Sequence, residues 1–328
     1  MRILHITVSV LLGLSLPSWA QLTAADCQPQ AQGSAELKEI RPRYYTVTGT
    51  LGGFDPCHSS VEFKRPNSAQ PAPLVLAVHG GGGIKDVHNI SRALGNAGFA
   101  TLIFDAYTMQ GLPSRESVFW ARSLTNESRQ RMIWATALGA YKWAITRTDI
   151  DASGIYLYGI SNGATMVANL AAVVSPAHVK GAIAEGLTPV GLGLPNTLEV
   201  PLLAIFGKLD DFGSTNPSIM RWDLTEPCRF NIQAPSLPAG TSQTCSRTAP
   251  SGTMPSALQW LESVRSQGSV VQIEYIEQVA HCGFCMPLRL GRATWANGQT
   301  MGASLGASDA GRQALLQSMR EFMQRNGL

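Results

Sequence analysis

Apolar runs of strand length alternate with helix-length amphipathic patterns from Pro73 almost to the C-terminus, and that order constrains the fold more than any other feature. The runs are PLVLAV (73–78), FATLIF (99–104), IYLYG (155–159), GAIAEG (181–186), PLLAIFG (201–207) and VVQIEYIE (270–277). Between them lie helical patterns over DVHNISRALGNAG, from about Glu127 to Arg147, over GATMVANLAAVV and from about Ser256 to Ser266, with a last one from Asp309 to Arg325. Strands alternating with helices imply parallel pairing through crossover helices, hence an α/β fold with a mostly parallel central sheet and helices on both faces. Upstream, YYTVTGTL and SSVEFKRP read as an antiparallel hairpin.

Two helices are marked by their own residues. In the long one, Ile133, Ala137, Ala140 and Ala144 line one face beside Trp134, Leu138, Tyr141 and Ile145, with Asn126 as the expected N-cap. The last has Ser308 ahead of Asp309, apolar Leu315, Met319, Phe322 and Met323, and Gly327 at its C-terminal end.

The stretch YGISNGA (158–164) places Ser161 between Gly159 and Gly163, directly after a strand and before a helix. G-x-S-x-G in that context is a nucleophile elbow: the turn is so tight that a Cβ two residues either side of the serine would clash. A glycine-rich turn with an idle serine is the competing reading. A nucleophilic serine needs a base to take its proton and a third group to orient that base. In sheets of this kind they follow the serine in the order acid, then histidine, on loops at strand ends.

Only His178 and His281 follow Ser161. His178, in SPAHVK, falls on the far side of the sheet from the elbow; His281, in VAHCGF after the last strand, falls where the base belongs. The acid slot after PLLAIFG reads KLDD, and position alone does not separate Asp210 from Asp211. Donors for an oxyanion are expected from the N–H of Asn162 and from HGGGG (79–83) after PLVLAV, centred on Gly81 and Gly82. That loop is not a phosphate cradle, since neither G-K-[ST] nor G-x-G-x-x-G is present.

With these residues in hand, the chain resembles the dienelactone hydrolase-like branch of the α/β-hydrolase superfamily. The likeness rests on VLAVHGGGG, GFATLIFDAY, LYGISNGA, FGKLDD and VAHCGF with its closing helix, and runs from about Pro71 to the C-terminus. It implies an α/β-hydrolase fold and hydrolysis of a small-molecule ester or lactone without metal or organic cofactor. It also implies that the acid is Asp210, three residues after Gly207, with Asp211 as the fallback. Founding members use a cysteine nucleophile where this chain has Ser161, so a carboxylesterase is the expectation rather than a dedicated lactonase. A serine peptidase acting on short peptides and a non-catalytic binding protein on the same fold are the alternatives.

The first twenty residues, MRILHITVSVLLGLSLPSWA, have the charge, apolar stretch and small-x-small ending of a secretory leader cleaved before Gln21. Residues 21–328 then form a single domain in a secreted or periplasmic protein. The chain carries +3, and losing the leader removes only Arg2, leaving 24 basic residues against 22 acidic. That balance offers no surface for nucleic acid or anionic membrane.

An even count of six cysteines in an exported chain favours disulfides. Proximity suggests Cys27 with Cys57, Cys228 with Cys245 and Cys282 with Cys285. The last pair, in HCGFC, also admits a redox C-x-x-C or a zinc site with His281; a disulfide stiffening the histidine loop is the preferred reading, leaving nothing for thiol reagents. Residues 211–255 break the α/β rhythm and read as a Pro/Ser/Thr-rich excursion near the site mouth. Of the remaining residues, His79 and Asp105 are expected to be structural, while Tyr107, Glu185 and Trp222 are candidates for the acyl or alcohol pocket that the sequence does not place. Asn89 and Asn126 match the glycosylation acceptor pattern.

Overall fold

The computed structural model describes residue 27 and residues 54–66, 70–113, 116–122, 124–189, 193–213, 256–294, 298 and 300–327. The leader, the strand expected at YYTVTGTL, Trp222, Cys228, Cys245 and most of the 211–255 excursion lie outside them.

Seven strands form one sheet: β1 (Val61–Lys64), β2 (Ala72–Val78), β3 (Ala100–Phe104), β4 (Ile150–Ile160), β5 (Val179–Glu185), β6 (Leu202–Gly207) and β7 (Val271–Ile276), in the order β1-β3-β2-β4-β5-β6-β7. Only β1 runs antiparallel, with Val61 opposite Phe104 and Lys64 opposite Thr101. The chain adds β3 on one side of β2 and β4 on the other. The loops leaving β2 and β4 therefore diverge and open a crevice at the carboxyl ends of the strands, where such sheets bind ligands.

Helices α1 (Lys85–Asn96), α2 (Ala106–Met109), α3 (Ser117–Arg122), α4 (Asn126–Ala144), α5 (Asn162–Leu170), α6 (Ala257–Ser266) and α7 (Asp309–Arg325) flank the sheet. Strand side chains alternate between two apolar cores, which the period of 2 dictates. Leu74, Leu76 and Val78 join Leu157, Leu202 and Phe206 in a core shared with α4, α5 and α6. Val75 and Ala77 join Tyr156, Ile183 and Leu203 in a second core, closed by Val87, Ile90 and Leu94 of α1 and by Leu315, Met319 and Phe322 of α7. Leu74, Val75, Leu76 and Leu157 are fully buried, and each side chain of that kind is worth about 1.5–3 kcal/mol.

Three details depart from the sequence reading. The N-cap of α4 is Thr125, whose hydroxyl accepts from Ser128 N at 3.0 Å; Asn126 sits one residue inside and its side-chain oxygen accepts from Arg129. Helix α7 is capped by Ser308 as expected, but its C-cap is Asn326, with Gly327 just beyond at φ 105°. A short antiparallel pair, β8 (Arg292–Thr294) with β9 (Thr300–Gly302), follows the histidine loop; three-residue strands that are largely exposed carry no apolar run to announce them.

Candidate active site

Ser161 sits between β4 and α5 with φ 57° and ψ −118°, a backbone conformation that a non-glycine residue holds only under strain. Close packing enforces the turn. A Cβ at Gly159 would lie 2.3 Å from Gly163 O, and one at Gly163 would lie 2.3 Å from Val78 O. The Ser161 N–H donates to Glu185 O at the end of β5 (3.0 Å), which anchors the turn across the sheet.

Asp210 and His281 meet from the loops after β6 and β7. His281 Nδ1 and Asp210 Oδ2 are 2.9 Å apart, with side chains only 5% and 1% exposed. A carboxylate oxygen only accepts, so Nδ1 carries the proton and Nε2 keeps its lone pair. Phe212 stacks on the imidazole at 4.7 Å between centroids, and its N–H donates to Asp210 Oδ1 at 3.1 Å, fixing ring and carboxylate together. Asp211 faces away, accepting from Ser304 N at 3.0 Å. The loop is also held in register by Ala280 N to Gly306 O and Gly306 N to His281 O, both 2.8 Å.

The turn Glu185–Gly186 joins the two halves of the site. Its carbonyl holds Ser161, and a Cβ at Gly186 would lie 3.1 Å from both Cε1 and Nδ1 of His281 and 3.4 Å from Asp210 Oδ2. The elbow and His281 thus abut the same two residues. His178, by contrast, bonds Ala152 O at 2.9 Å at the amino end of β5, on the far side of the sheet.

Of the expected donors, Asn162 opens helix α5, where its N–H has no partner within the helix. Gly80 is close behind: a Cβ there would come within 3.1 Å of Ser161 Cβ. Gly82 departs from expectation, because its N–H donates to Asp86 Oδ2 at 2.9 Å and is already engaged. Gly81 remains, with open space before it: a Cβ there would meet only Arg129 Nη1 at 3.8 Å and Asn162 Nδ2 at 3.9 Å. The glycine loop is held from behind by His79, which donates from Nδ1 to Gly80 O (2.7 Å) and accepts at Nε2 from Ala106 N (3.0 Å). Asp105 caps α2 through Tyr107 N and Thr108 N. Both are structural, as their sequence context suggests.

Tyr107 and Glu185 are both buried beside the site. Tyr107 is fully buried, bonding Gly80 O at 3.3 Å, and Glu185 is 2% exposed. Two groups near the site escaped the sequence reading. Arg129 brings a guanidinium beside Gly81, its Nε buried without a hydrogen-bond partner and its pKa lowered by burial. Asp86 is half-buried, and desolvation raises its carboxyl above the ordinary 3.8. Neither has a motif to mark it, since both depend on which loops the sheet brings together.

The cysteines pair as expected where they are described, Cys27 with Cys57 and Cys282 with Cys285. Asp86 Oδ1 lies 3.7 Å from Cys285 Sγ, and Asp86, Cys282 and Cys285 bring one carboxylate oxygen and two sulfurs within 4.8 Å of one another. Both sulfurs are spent in the disulfide and His281 Nδ1 faces Asp210, so the zinc reading of HCGFC finds no thiolate here.

A strained serine turn between strand and helix, at the switch point of a seven-stranded and mostly parallel sheet, is the architecture of an α/β-hydrolase. The dienelactone hydrolase family profile matches residues 61–225, half of the chain, and this chain belongs to that family. Membership makes it a hydrolase. Among solved structures, a protein of Klebsiella pneumoniae assigned as a dienelactone hydrolase is 17% identical, over 80% of this chain and 92% of that one, with a TM-score of 0.50. Dienelactone hydrolase from Anabaena variabilis is 15% identical over 81% and 91%, with a TM-score of 0.46. The acylaminoacyl peptidase of Pyrococcus horikoshii is 15% identical over 81% of this chain and 39% of that one, with a TM-score of 0.47. No curated protein matches the chain.

Proposed function

We propose that this protein is an exported carboxylester hydrolase working through an acyl-enzyme on Ser161. One observation carries the reading: the buried His281–Asp210 pair and the Ser161 elbow converge on the Glu185–Gly186 turn. Ser161 Oγ attacks the ester carbonyl while His281 Nε2 takes its proton, and Asp210 holds the tautomer and stabilises the imidazolium. The N–H groups of Asn162 and Gly81 receive the oxyanion, each such donor being worth about 3 kcal/mol in the transition state. Arg129 adds positive charge beside them. His281 then returns the proton to the departing alcohol, and water, activated by the same imidazole, frees the acid.

Export rests on the leader and is supported by the two disulfides. No helix among the described residues is long and apolar enough to cross a membrane.

The test is a p-nitrophenyl ester panel from acetate to long acyl chains, with the mature protein and Ser161→Ala. The expected result is turnover of short esters that falls by roughly 10⁴-fold or more in the variant. Equal inertness of both proteins, with cleavage of short peptide substrates by the parent alone, replaces the esterase reading with a peptidase.

A further inference from the structure

Glu185 lies at the end of β5, paired with Ile160 in register and so one residue from the nucleophile on the neighbouring strand. Its backbone oxygen already holds Ser161 N. Its side chain turns to the other half of the site: Oε1 accepts from Gly283 N at 2.6 Å, two residues beyond His281, and Oε2 accepts from the Tyr158 hydroxyl at 2.6 Å. Among the described residues no lysine or arginine pairs with it. A carboxylate buried without a cation is costly, and the Ser161, His281, Asp210 mechanism makes no use of it.

We propose that Glu185 is a positioning residue for the base, pinning the His281 loop to β5 through Gly283 and, by way of Tyr158, to β4, and placing a second negative charge behind the imidazole. The proposal rests on His281 being the base. The Gly283 N–H can only donate and the Tyr158 hydroxyl donates to Oε2; a neutral Glu185 would have to reverse that second bond, with the Tyr158 oxygen accepting and its own proton displaced, so the bonds as they stand are those of the carboxylate. Burial opposes that and raises the group above its ordinary 4.5, while the Tyr158 hydroxyl, the Gly283 N–H and the His281 charge pull it back down. The titratable groups facing it are Tyr158 on β4, Asp210 after β6 and His281 after β7, with Asp86 beyond Tyr158. Tyr158 stays protonated as a donor, its own pKa raised by burial and by Glu185. Since acyl transfer charges His281 in the transition state, a fixed anion behind the ring lowers the barrier as Asp210 does, from a different strand.

The experiment is an NMR titration of the His281 imidazole in the mature protein and in Glu185→Gln, which keeps an acceptor for Gly283 N and removes the charge. This readout needs no substrate. The expected result is that His281 titrates about one pH unit lower in the variant, and that kcat on p-nitrophenyl acetate falls about tenfold with KM within about twofold. Should Glu185→Gln fail to fold, Tyr158→Phe reads the same charge: with one donor gone the carboxylate protonates at higher pH, and His281 moves in the same direction by less. An imidazole that titrates at the same pH in the parent and in the folded variant overturns the proposal. Inertness of the parent on every ester, or full activity of Ser161→Ala, overturns the esterase reading instead and leaves the titration to decide Glu185.

Discussion

Replacing Gly186 by alanine tests whether the Glu185–Gly186 turn sets the position of the base. The residue has φ 60°, so an alanine there costs about 1–2 kcal/mol of backbone strain. The new Cβ would also stand 3.1 Å from Cε1 and Nδ1 of His281 and 3.4 Å from Asp210 Oδ2. Carbon contacts settle at about 3.5–4.0 Å, so the ring has to withdraw by roughly 0.5 Å. Misplacing a reacting group by about 1 Å costs about 10²-fold, which makes about tenfold a fair expectation here. Gly98→Ala supplies the control, because Gly98 has φ 97° and nothing within 4 Å of its would-be Cβ; it incurs the strain without touching the site. Thermal melts are expected to drop by a similar few degrees in both variants, while kcat/KM for p-nitrophenyl acetate falls about tenfold in Gly186→Ala alone. Equal activity of the two variants would refute the claim that this turn positions the imidazole.

Asp210→Asn is expected to lower kcat by about 10³–10⁴-fold, since the amide favours the wrong imidazole tautomer, whereas Asp211→Asn leaves kcat within about threefold and loosens only the bond to Ser304 N; steady-state kinetics on both variants separate the two acids. Because burial raises Glu185 above 4.5, its contribution to stability is fully present below that pH and is lost as pH rises through the folded value. Glu185→Gln lacks that loss, so its melting temperature relative to the parent is expected to climb between about pH 4 and pH 8; a difference that stays flat would show that burial does not penalise this carboxylate.

Much of the frame was legible because buried parallel strands read as short apolar runs and the helices between them carry their own spacing. Ser161 was legible for a sharper reason: a Cβ at Gly159 or Gly163 would come within 2.3 Å of backbone, so the elbow cannot be written without those glycines. His281 followed by elimination. Asp210 did not, because adjacent aspartates on one loop differ only in direction; the family resemblance favoured Asp210, and the contact with His281 now agrees with it while Ser304 takes Asp211. The cap of α4 was missed by one residue since Thr125 and Asn126 are both good caps, and only the backbone decides which one turns first.

Glu185 shows why the rest was hidden. In sequence it is one acid at the end of GAIAEG, as consistent with a pocket wall as with anything else. Its meaning comes from three neighbours that are 27, 24 and 98 residues away: Tyr158 and Ser161 on the adjoining strand and turn, and Gly283 beyond the histidine. Parallel pairing puts the first two beside it, and the base loop, closed by Gly306 and α7, delivers the third. Each of these contacts is an ordinary consequence of strand register, yet together they set an acid with no lysine or arginine partner among the described residues against the His281 loop. A neutral side chain would satisfy the packing at lower cost, so the charge is where the argument from stability stops and the argument from catalysis begins.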